Sequence, residues 1–138
     1  MNPRSKAIWL LRAMWGTVGL TAFLWIGYED QGLSMAILMA SLITASTWAS
    51  YMLRGGIPSS TSKPARVLKL AWTGLLGGAA TAVVGALLML IKVSIHRHAA
   101  PDFSGGDVLW VLRQVPGWGL AGALAGAVLG LLWPAHKG

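Results

Sequence analysis

His96 and His98, followed by Asp102 and Asp107, form the one constellation in this chain with ligand chemistry. Neutral imidazole plus carboxylate is a donor set for Zn²⁺ or another divalent ion, and His96, His98 and Asp102 are the residues that would hold it. The spacing sets a condition. Side chains at i and i+2 point the same way only in extended backbone, so the pair chelates only where the segment is not helical. The competing explanation is electrostatic: protonated imidazoles at a helix C-terminus complement its dipole and nearby lipid headgroups. There are no cysteines, which excludes disulfides, thiol nucleophiles and thiolate metal sites.

A second group of polar residues lies inside an apolar run. Ser41, Thr44 and Thr47, with Thr81 further along, could line a polar path for a neutral solute. Hydroxyls in such helices also bond to the carbonyl four residues back or across to a neighbouring helix. The second use is favoured, because no ionisable group accompanies them. No histidine falls inside an apolar run, so a haem held by paired histidines is excluded, and no cofactor is expected. No serine or threonine sits in a motif with a base and an orienting third group, and Gly55-Gly56 lacks the G-K-[ST] of a phosphate loop. An enzyme is therefore not expected.

The elements that position these groups follow from composition. Of 138 residues, 55% are hydrophobic and 11% charged, against roughly 25% charged in soluble domains. Mean hydropathy is +0.62. The expectation is a single membrane domain over 1–138, an all-α integral membrane protein. Its fold is a four-transmembrane-helix bundle of two helical hairpins, with spans at about 7–28, 33–53, 67–95 and 117–133. An interfacial amphipathic helix at about 107–115 precedes the last span, opened by Ser104-x-x-Asp107 as a capping box. Pro116 ends or kinks it, so that 107–133 is either two helices or one kinked helix. Glu29 to Gly32 is a tight acidic turn, and Arg54 to Arg66 a glycine-, proline- and serine-rich loop.

Two of the spans carry small-residue faces. Gly122, Gly126 and Gly130 make a doubled GxxxG, and Gly74 and Gly78 begin a second face, with Gly85 on the stripe beside it. Residues four apart share a helix face, so these six form glycine-zipper surfaces where another backbone can approach. The natural partner of the first face is the second.

The net charge of +7 would suggest nucleic acid in a soluble protein. Here the charges flank the spans instead, and no nucleic-acid partner is expected. With the N-terminus inside, Arg4, Lys6, Arg12, Arg54, Lys63, Arg66, Lys69 and Lys137 lie on the cytoplasmic side, against Lys92, Arg97 and Arg113 outside. That asymmetry orients the protein as multi-pass with both termini cytoplasmic. Arg54, Lys63, Arg66 and Lys69 would meet anionic headgroups of the lipid bilayer. Lys92, near the end of its span, is expected to snorkel outward.

The functional expectation is a small non-catalytic polytopic membrane protein, an accessory, assembly or scaffold subunit that packs through glycine-rich faces on another membrane protein or on itself as a homo-oligomer. The alternative is an oligomeric small-solute channel or transporter.

Overall fold

In a chain this apolar the backbone N–H and C=O groups must find partners within the chain, and a helix does this locally. The computed structural model describes residues 3–28, 32–54, 62–95 and 102–133. These form α1 (Pro3–Gly27), α2 (Leu33–Leu53), α3 (Lys63–Ile95), α4 (Gly105–Arg113) and α5 (Val115–Leu132). There is no strand among the described residues. Four helical stretches are long and apolar enough to cross a membrane: Ile8–Gly27, Leu33–Leu53, Lys63–Ile95 and Gly105–Leu132. Several features singled out above lie outside the described residues: the turn at 29–31, the loop at 55–61, His96, His98 and the tail with His136 and Lys137.

α3 begins at Lys63 rather than near Val67. Pro64 sits in its first turn, where a missing N–H costs nothing. The turn closes when Arg66 N donates to Ser62 O at 2.9 Å. The helix is therefore about 50 Å long at ~1.5 Å per residue, and the other elements are arranged along it.

Pro116 divides the last stretch. Without an N–H it cannot bond to the carbonyl of Leu112, and its ring crowds that carbonyl. α4 ends at Arg113 and α5 begins at Val115, with Gln114 capping both. Gln114 keeps a right-handed helical conformation (φ −81°, ψ −5°), and Trp118 N still donates to its carbonyl at 2.9 Å. The result is two helices whose backbone path stays helical through the join. The start of α4 is a full capping box. Asp107 N donates to Ser104 Oγ at 3.2 Å, and Ser104 N donates to Asp107 Oδ2 at 2.8 Å. Val108 and Val111 of α4 and Val115 at the start of α5 turn inward, while Leu109 and Leu112 are exposed. Val111 is buried and seats on α3, beside Gly85.

Packing takes two forms. At the end where α1 finishes and α2 starts, side chains interlock: Trp25, Met39, Met89, Phe103 and Val111 are buried with the alanines Ala36, Ala40, Ala82 and Ala86. Along the other half of α3, side chains give way to backbone. There α5 runs antiparallel to α3, and Leu70 is buried beneath it. α1 lies mainly against α2, joined by Trp15 Nε1 donating to Ser50 Oγ at 3.0 Å.

Candidate functional site

The α3/α5 contact shapes the site. A Cβ built on Gly74 would strike the carbonyl of Gly122, and one on Gly122 would strike the carbonyl of Gly74. One on Gly78 would strike Trp118 O, and one on Gly126 would strike Leu70 O. At Gly130 a Cβ would lie 2.7 Å from Val67 Cα. The structure thus brings Gly74, Gly78, Gly122, Gly126 and Gly130 into one seam of backbone against backbone, where Cα–H groups approach carbonyls. Gly85 is elsewhere. Its open side faces Ala40 Cβ of α2 and Val111 Cγ1 of α4, each at 3.5 Å from an added Cβ.

α2 and α5 occupy neighbouring faces of α3 and make little contact with each other. Between them lies a cleft of about 230 Å³. Its floor is the glycine-rich stripe of α3 at Gly74, Gly77 and Gly78, and its walls carry Trp48 from α2 and Trp118 from α5. Gly77 differs from its neighbours: an added Cβ there meets only Trp48 Cδ1, at an ordinary 3.9 Å. The cleft is therefore open at Gly77 and sealed beside it at Gly74 and Gly78.

Ser41, Thr44 and Thr81 line this cleft, and Thr47 does not. Their hydroxyls are engaged. Ser41 Oγ donates to Ile37 O at 2.8 Å, Thr44 Oγ1 to Ala40 O at 2.9 Å and Thr81 Oγ1 to Gly77 O at 3.1 Å. The Thr44 and Thr81 hydroxyls also meet each other at 2.7 Å, joining α2 to α3. Since one hydroxyl has a single hydrogen, these contacts share donors among carbonyl and hydroxyl acceptors. Thr47 Oγ1 is exposed and donates to Ile43 O at 2.8 Å. The Thr44–Thr81 bridge carries a testable coupling. In a double-mutant cycle of Thr44→Val and Thr81→Val, unfolding in mixed micelles is expected to give a coupling of about 0.6 kcal/mol, the usual size for such bonds between apolar helices.

A second polar centre was not legible in the sequence. Lys92 does not snorkel: it is fully buried. Its Nζ lies 3.9 Å from Asp102 Oδ2, 4.9 Å from the Trp25 ring centre and 5.8 Å from that of Phe103. The ammonium is thus held by a carboxylate and two aromatic faces, the arrangement that offsets desolvation of a buried cation. Asp102 faces this cation, whereas His96 and His98 of the expected metal set lie outside the described residues. Among the described residues no three metal-ligating side chains converge.

Arg66 also departs from its expected place at a headgroup surface. It is 6% exposed, and its Nε donates to Gly130 O at 3.3 Å. Gly130 lies in the last turn of α5, whose carbonyls have no partner within the helix, so the guanidinium caps that end. Arg54 and Lys63 are exposed, and Lys69 is half-buried with its Nζ 6.0 Å from the Tyr51 ring centre.

Comparison with known protein families, with curated proteins and with solved structures finds no match.

Proposed function

We propose that this chain is an integral, multi-pass membrane protein without catalytic activity, an accessory, assembly or scaffold subunit that holds a second membrane protein against its α1 face. The observation that carries this reading is the contrast between two sets of glycines. Gly74, Gly78, Gly122, Gly126 and Gly130 of α3 and α5 are filled by each other's backbone, so they are spent inside the protein. Those of α1, at Gly16, Gly19 and Gly27, have no described residue against them. Exposed Leu20, Phe23 and Leu24 share that helix. Small residues beside large apolar ones give a helix a notched surface suited to another helix in lipid.

The orientation places both termini on the cytoplasmic side, from the lysine and arginine asymmetry. α3 at about 50 Å exceeds a hydrocarbon core of about 30 Å, so its basic first turns would stand in the headgroup layer with Arg54. A channel or transporter draws less support. A solute path needs hydroxyls free to bind the solute, and those of Ser41, Thr44 and Thr81 are turned to helix carbonyls and to each other.

Purification from native membranes in mild detergent, with mass measurement of the intact assembly, tests the reading. A larger partner at fixed stoichiometry is expected. Gly16→Leu should release that partner while helix content is kept and the unfolding midpoint does not fall. A homo-oligomer or monomer with no second protein would overturn it.

A further inference from the structure

We propose that the α2/α3/α5 cleft binds one anionic phospholipid, with an acyl chain over Gly77 between Trp48 and Trp118 and the phosphate at Lys69, Arg54 and Lys63. The inference rests on the membrane-spanning reading above and adds a defined ligand to it.

The cleft's size suits a chain. It runs from Thr81 to Gly74 on α3, about 10 Å at ~1.5 Å per residue, with a volume of about 230 Å³. A slot of that length accommodates a stretch of a single hydrocarbon chain lying along α3. The lining matches: bare glycine backbone below, an indole on either side, and hydroxyls already satisfied within the protein. Such a surface makes no polar demand on its occupant.

Charge selects the headgroup. The cleft's lower end, at Trp48 and Gly74, points towards the C-terminus of α2 and the N-terminus of α3. Lys69 stands five residues before Gly74, roughly 7 Å along the helix axis. Its ammonium lies beside Tyr51, one turn beyond Trp48 on α2, so it borders this end of the cleft. Arg54 and Lys63 are exposed at the same end of the two helices. Among the described residues no carboxylate is paired with these three, and Asp102 and Asp107 lie beyond the opposite end of α3. An apolar slot with Lys69 about 7 Å and Arg54 about 9 Å beyond its end along the helix axes, and Lys63 further out at about 16 Å, complements a phospholipid, whose phosphate stands beyond the end of its chain. A free phosphate would leave the slot unfilled.

The test uses the full chain reconstituted in vesicles of equal parts phosphatidylglycerol and phosphatidylcholine, re-extracted in mild detergent and weighed intact. The expected result is one retained phosphatidylglycerol per protein, in preference to phosphatidylcholine. Gly77→Leu places a side chain in the slot without a backbone collision and should abolish retention. Ala45→Leu fills the same slot from α2 and should do likewise if Gly77→Leu fails to fold. Lys69→Ala should weaken retention about fivefold, the effect of one basic residue at an anionic surface. Undiminished phosphatidylglycerol on a folded slot-filled variant, or equal retention of phosphatidylcholine, would overturn the proposal while leaving the membrane reading intact. Failure of the protein to float with vesicles, or its release by alkaline carbonate, would overturn the membrane reading itself.

Discussion

Gly126→Leu is expected to destabilise the protein by about 3 kcal/mol or more, at the upper end of overpacking costs, and to separate α5 from α3. A Cβ at this position meets Leu70 O, with Leu70 C at 2.6 Å and Ala71 N at 3.1 Å behind it. These are backbone atoms inside a helix, so no rotamer change relieves the collision. The helices must move apart along the seam, and Gly74, Gly78 and Gly122 lose their contacts with it. Even Gly126→Ala should destabilise. That sign is informative, because replacing glycine by alanine inside a helix otherwise gains roughly 0.5–1 kcal/mol. Gly16→Ala, in open space on α1, should show the gain. Denaturation in mixed micelles reads both variants. Equal effects at 126 and 16 would mean that the α3/α5 seam is not held backbone against backbone.

How much of this was legible depends on whether the determining contact is local. The capping box at Ser104 was readable because both partners lie within one turn, and the break at Pro116 because proline acts on its own helix. The apolar stretches were readable for the same reason. Lys92 was not. A lysine three residues from a helix end in an apolar run is ordinarily solvated through its flexible stem. Its burial depends on Asp102 and Phe103, ten and eleven residues downstream, folding back over it, and on Trp25 arriving from α1. Nothing in the local pattern encodes that return. Arg66 was missed in the same way, since its partner Gly130 lies 64 residues away. The cleft falls between these cases. Its glycines and hydroxyls were visible, but their enclosure of one volume required α2 and α5 to sit on adjacent faces of α3.

Lys92→Ala is expected to cost roughly 3–5 kcal/mol, because it removes the cation that faces Asp102 and empties the space between two rings. Asp102 is itself largely enclosed, at 15% side-chain exposure, so water cannot readily replace the ammonium. At 3.9 Å the pair is held by charge rather than by a direct hydrogen bond, and the Trp25 and Phe103 faces add to that attraction. The pair is not thereby a net source of stability, since desolvating two ions offsets most of their attraction. The double variant Lys92→Met with Asp102→Leu, which removes both charges and keeps the volume, should therefore return to within about 1 kcal/mol of the parent, or exceed it. Hydrogen exchange separates a local role from a global one. In Lys92→Ala the amides of α4 should exchange faster than those of the α3/α5 seam, because the cluster ties the segment before α4 to α1 and α3. If Lys92→Ala unfolds like the parent, or if the double variant is no better than the single, the buried pair does not hold this end of the protein together.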